Sequence, residues 1–151
     1  MKKKMSKKTK GFSLIELLIV VAIILIIAAI AIPNLLRARR SANEGSATAS
    51  MRTLGSGELL YRSTNGNFTD LPGLAADSII DNVLGNGSKS GYAFGATPGT
   101  STDLQFSATG HPAVATGATA TGARYFFTDE SQVIRFAVGG PATSASGAIG
   151  N

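Results

Sequence analysis

The sequence predicts an α+β protein, in which a long N-terminal helix, membrane-spanning in its first half, packs on a small antiparallel β-sheet. Three observations lead there. Residues 17–32 are sixteen apolar positions without a break. Further on, Leu35, Leu36, Ala38, Ala42, Ala47, Met51 and Leu54 recur at spacings near 3 and 4, the signature of one helix face. Beyond residue 90, short runs rich in aromatic and β-branched side chains alternate with small residues and are separated by turn formers.

The first element is a basic leader, residues 1–11. Of fourteen Lys and Arg, six stand in the first ten residues: Lys2, Lys3, Lys4, Lys7, Lys8 and Lys10. Without them the formal charge of +5 becomes −1, because eight basic residues then face nine acidic ones. A like-charge run at a terminus serves addressing or tethering. The remaining chain has no basic groove to offer, and beyond Arg62 only Lys89, Arg124 and Arg135 are basic. No nucleic-acid partner is therefore expected. There is no cysteine, which excludes disulfides, thiolate zinc sites and thiol nucleophiles.

Residues 12–32 are apolar except for Ser13 and Glu16. As a helix this stretch spans about 31 Å, close to the hydrocarbon thickness of a bilayer. In lipid only a helix satisfies all backbone groups within one segment, so the Ile and Val content is no obstacle. The leader lysines outnumber Arg37, Arg39 and Arg40 on the far side, which sets the N-terminus in the cytoplasm. An ordinary secretory signal would also have a basic start, and Ala29-Ile30-Ala31 resembles its cleavage site. Two features weigh against it: the apolar run is longer than such signals use, and it carries an acid, Glu16, near its start.

The junction Lys10-Gly11-Phe12-Ser13-Leu14-Ile15-Glu16-Leu17 resembles the prepilin junction of type IV pilins and type II secretion pseudopilins. The resemblance is specific over residues 10–34. It implies that a prepilin peptidase cuts between Gly11 and Phe12, that the new N-terminal Phe12 is N-methylated, and that Glu16 serves methylation and assembly. It also implies a type IV pilin-like fold, with Pro33 at a familiar place in the helix. The chemistry is consistent. Gly11 has no side chain to keep a protease off the backbone. A carboxylate within a membrane span needs a partner, and the new Phe12 amine is the cation created at the right depth. Glu16 would then set axial register between neighbouring subunits. The plainer reading of Glu16 is an acid complementing the helix dipole.

Pro33 removes an i→i−4 hydrogen bond and is expected to kink the helix, which resumes over residues 33–63. Such a helix, about 78 Å from residue 12, is too long for one small domain to cover, so lipid and then neighbouring helices must bury its apolar half. Glu58 and Arg62 form an i,i+4 pair in the favourable order, and Asn65-Gly66 is a stop. Residues 64–90 read as a connecting region with a short helix around 75–84. Residues 91–138 read as the sheet, with a hairpin loop at Asp129-Glu130-Ser131-Gln132 and with Tyr92, Phe94, Leu104, Phe106, Tyr125, Phe127, Ile134 and Phe136 facing the helix. Residues 110–122 suit a long exposed loop, and 139–151 a flexible tail that frays.

No cofactor is expected. Asp129 and Glu130 offer oxygen ligands for calcium, but such sites need six or more oxygens, and exposed hairpin-tip acids are the better reading. His111 has no ligand partners in sequence. Asn67-Phe68-Thr69 and Asn86-Gly87-Ser88 match the N-glycosylation pattern, which a prepilin signature makes weak evidence.

The expected function is a structural subunit of a type IV pilus-like filament, serving adhesion, twitching motility or uptake. The alternative is the major pseudopilin of a type II secretion system: the resemblance implies a C-terminal disulfide in many pilins and none in major pseudopilins, and this chain has no cysteine. A minor DNA-uptake subunit would require a basic or aromatic surface. No enzyme is expected, since one His and no acid pair or phosphate loop are present. Expected partners are further copies of the chain, prepilin peptidase, an inner-membrane assembly platform and, before assembly, membrane lipid. The expected location is the cytoplasmic (inner) membrane as a single-pass precursor, then a periplasmic or extracellular filament.

Overall fold

A computed structural model describes residues 11–100 and 104–150. The leader lysines lie outside the described residues. The order is α1 (Leu14–Asn65), α2 (Leu71–Ala76), α3 (Asn82–Gly85), β1 (Ser88–Lys89), β2 (Tyr92–Pro98), β3 (Phe106–Pro112), β4 (Arg124–Asp129), β5 (Arg135–Val138) and β6 (Gly147–Ala148). This is the α+β architecture expected, a long N-terminal helix followed by an antiparallel sheet. The chain divides into two compact units, residues 1–35 and 36–151.

The described part of the first unit is residues 11–13 and the α1 residues up to Leu35, including Pro33. Pro33 lacks the N–H that would bond the Ala29 carbonyl. The helix nevertheless continues through it.

In the second unit, six strands form a meander in the order β1-β2-β3-β4-β5-β6, each antiparallel to the next. Register decides the inner face. Phe94 lies opposite Gly110, which lies opposite Phe126; Ala96, Ala108 and Thr128 form the next row. These positions are buried, together with Tyr92, Phe106 and Ile134. Ala47, Met51 and Leu54 of α1, at i, i+4 and i+7, join the same core. At Gly110 the sheet leaves no room for a side chain beneath α1. A Cβ there would stand 3.1 Å from the Phe94 ring and 3.2 Å from Met51 Sδ.

Asn65-Gly66 does end α1, with Gly66 at φ 80°. Several other expectations need correction. The single helix around 75–84 is two shorter ones, because Ser78 takes a left-handed φ of 58° and Asp81 starts a new helix by accepting from the Leu84 N–H. Asp70 caps α2 in the same way through Gly73. Leu104 is 57 % exposed, and Tyr125 and Phe127 lie on the outer face, since the pairing of Gly110 with Phe126 turns the even residues of β4 inward. Tyr125 stacks on His111 there, with ring planes 15° apart.

Residues 110–112 belong to β3, and the loop that follows is pinned. Arg40 donates to the carbonyls of Gly117, Ala118 and Ala120, and Asn43 to that of Thr121. Glu44 accepts the Ala123 N–H at 2.8 Å. Residues 139–150, read as a fraying tail, contribute β6, bury Ala142 and tie the Ile149 N–H to the Ile134 carbonyl. Free backbone groups on β5 explain the docking: a small-residue segment can pair with that edge without steric cost.

Candidate functional site

The residues singled out from sequence, Gly11, Phe12, Glu16 and Pro33, all lie in the first unit. Gly11, Phe12 and Ser13 precede the helix and are exposed. Phe12 is 86 % exposed, and a Cβ placed on Gly11 would meet nothing within 4 Å. The Gly11–Phe12 bond is therefore in extended or irregular backbone, open to an enzyme that must wrap a peptide.

Glu16 is at the third helical position, and its Oε2 accepts the Ser13 N–H at 2.8 Å. The Leu17 N–H bonds the Ser13 carbonyl at 3.2 Å, closing the first helical turn. Ser13-Leu14-Ile15-Glu16 is thus the S-x-x-E spacing of a capping box, with the glutamate arm formed. The cap adds a structural role for Glu16 beyond the dipole and assembly roles expected of it, and the Ser13–Glu16 spacing is its signal in the sequence. The structure brings Glu16 to Ser13; it does not bring Pro33 into that group.

The rest of this stretch explains why it cannot stand alone. Fourteen Leu, Ile and Val side chains between Leu14 and Ile32 are exposed. Leaving such a side chain wholly in water forgoes roughly 1.5–3 kcal/mol; these are about half exposed, so the set forgoes on the order of 10–20 kcal/mol, as much as a whole domain's usual stability. α1 is the one helix among the described residues long and apolar enough to cross a membrane.

The second unit offers other features. Among the described residues no three His, Cys, Asp or Glu gather to hold a metal. Asp129 is engaged in the hairpin turn, its carboxylate accepting from the Ser131 N–H and Oγ at 3.0 and 2.5 Å. Lys89 bonds Asp81 at 2.6 Å and holds that carboxyl below the usual range. Glu58 and Arg62 do not form the ion pair expected of them. Glu58 is buried and accepts the Thr69 N–H, while Arg62 lies over the Phe68 ring, 5.2 Å from its centroid.

Comparison with known proteins agrees with the junction and the fold. Residues 6–32 match the prokaryotic N-terminal methylation motif. The chain is 48% identical over 63 residues to the type IV wide pilus major component PilA4 of Thermus thermophilus, across 42% of this chain and 48% of that one. It is 30% identical over 132 residues to the type IV major pilin protein PilA of Myxococcus xanthus, across 84% of this chain and 58% of that one. The chain thus spans about half the length of the relatives it matches. Motif and fold point the same way: residues 6–32 carry the prokaryotic N-terminal methylation motif, and a long apolar helix followed by an antiparallel sheet is consistent with the type IV pilin α+β fold. The relatives named above are major pilins.

Proposed function

We propose that this chain is a structural subunit of a type IV pilus-like filament, made as a single-pass membrane precursor and assembled through its N-terminal helix. The observation that carries this reading is the combination of an open Gly11–Phe12 bond with an apolar helix that nothing among the described residues of its own unit covers. Hydrolysis of the Gly11–Phe12 amide by prepilin peptidase removes the lysines and leaves an amine on Phe12, which is then methylated. The helix stays attached, unlike a secretory signal after cleavage. Lipid covers it first, and copies of the same helix cover it in the filament.

Cutting after Gly11 leaves the Ser13 cap in place. Glu16 Oε2 holds the Ser13 N–H in the precursor, and a carboxylate has room for further donors. In the assembly the Phe12 amine of the next subunit supplies one, giving a paired charge in apolar surroundings and an axial register. Pro33 loosens the helix locally during packing. No catalytic step is assigned to the chain itself; it is a substrate of its processing enzyme.

The alternative, a major pseudopilin of a type II secretion system, is favoured by one observation, the absence of any cysteine. The names of both relatives favour the pilus. Location of the assembled polymer separates them. Electron microscopy of cells carrying the chain should show surface filaments that label with an antibody to residues 36–150. Polymer confined to the periplasm, beside a secretin and exported enzymes, would instead make it a pseudopilin. With Glu16→Gln, cleavage should persist and filaments should be lost; filaments at the normal level would remove Glu16 from assembly.

A further inference from the structure

Glu58 is the one charged residue among the buried side chains of the described residues, with 0 % of its surface exposed. It follows Leu54 by four and Met51 by seven residues, so the stripe that builds the core also carries this carboxyl inward. Oε2 accepts one hydrogen bond, from the Thr69 N–H at 3.1 Å. Oε1 is buried and has no partner among the described residues. An ionised carboxylate is acceptor-only and calls for several donors, so one amide leaves it badly compensated.

Among the described residues no cation compensates it. Arg62, one turn on, is committed to the Phe68 ring. Asp70, in the connection from α1 to α2, has the same sign and caps α2 through Gly73. α2 has no titratable side chain. Asp77 accepts from Asn65, and Asp81 is paired with Lys89. On β3, whose Phe106 ring lies 4.8 Å from that of Phe68, the titratable group is His111, at the other end of the strand. Every acid near the connection therefore opposes ionisation of Glu58 or is engaged elsewhere.

We propose that Glu58 is a proton-binding latch: its neutral form holds the Asn67–Asp70 connection against α1, and its ionised form weakens that hold. The neutral carboxyl keeps an oxygen for the Thr69 N–H without placing a charge in the buried site. Ionisation leaves a charge with one donor in an apolar site. The nearest relief is opening of the connection, which lets water reach the carboxylate and draws Phe68 from its contact with Phe106. Burial, opposed by the Thr69 hydrogen bond and reinforced by Asp70, pushes this carboxyl from 4.5 up to about 7. That corresponds to roughly 300-fold tighter proton binding than in an exposed glutamate. The latch is thus poised to respond across neutral pH, where exposed carboxyls no longer titrate.

The test uses the full chain in detergent micelles, as wild type and as Glu58→Gln, which keeps the shape and the acceptor for Thr69. Carboxyl NMR should show Glu58 titrating near neutrality, with amide exchange at Phe68 and Thr69 accelerating over the same pH interval. The wild-type melting temperature should fall from about pH 5 to about pH 8 by more than that of Glu58→Gln. Titration of Glu58 in the ordinary carboxylate range, or exchange at Phe68 and Thr69 that ignores its titration, would overturn the proposal. So would an equal pH slope in the two proteins. The NMR measurement needs the wild type alone, so it decides the matter even if the variant does not fold.

Discussion

The two units of this molecule use one helix in opposite ways. Over residues 14–32 nearly every position is apolar and exposed; over residues 47–58 buried and exposed positions alternate with helical period. The difference is one of partners. Ala47, Met51 and Leu54 find theirs within the chain, in the rows of Phe94, Ala108 and Phe126. Residues 14–32 have a surface with no partner among the described residues of their own unit, which is the property expected of a helix that exchanges lipid for other copies.

Mutations should separate the two kinds of surface. Phe126→Ala removes a fully buried ring and should cost about 3–5 kcal/mol, seen as a large drop in the unfolding midpoint by circular dichroism. Leu25→Ala, the same kind of truncation in the first unit, should leave that midpoint unchanged; a matching drop would break the contrast. Leu25→Lys comes next. A lysine at the middle of a membrane span costs about 2.5–3.5 kcal/mol of insertion, so the precursor should shift from the membrane to the soluble or degraded fraction. Arg40→Ala is smaller. It deletes donors to three carbonyls of the Gly117–Ala120 loop, worth about 1–2 kcal/mol, and should speed proteolysis there without touching processing.

The remaining effects are electrostatic, and their signs oppose each other. Lys89 keeps the Asp81 carboxyl below its usual range, so its contribution is present at neutral pH and lost as pH falls through the acid range. The pair is exposed, so Lys89→Ala should barely move stability at neutral pH. Glu58 behaves inversely. Its folded-state value lies above its unfolded one, so its contribution is full below about 4.5 and lost as pH rises towards 7. A stability profile in which Lys89→Ala flattens the acid side and Glu58→Gln the neutral side would sharpen this division.

Local signals were legible in the sequence. The apolar run, the Asn65-Gly66 stop and the Asp129–Gln132 hairpin depend on neighbours within a few residues, and each stands where it was expected. The sheet face of Tyr125-Phe126-Phe127 was not legible, because three aromatics in a row carry no period-2 signal, and pairing with Gly110 decided it. The Gly117–Ala120 loop looked unconstrained because its anchor, Arg40, lies nearly eighty residues away. Glu58 looked like half of a surface ion pair; its place on the Met51–Leu54 stripe was the signal that it faces inward. The junction itself was readable as a motif, and so was its capping box, since Ser13 and Glu16 have the required spacing.

The central claim is that the first unit is a processed helix built to polymerise. The most direct test is the intact mass and N-terminal sequence of the membrane-fraction protein, expressed with and without prepilin peptidase. The account predicts a product that begins at N-methylated Phe12 only when the peptidase is present. A product beginning near Ile32, or a chain left uncut in both cases, would contradict it.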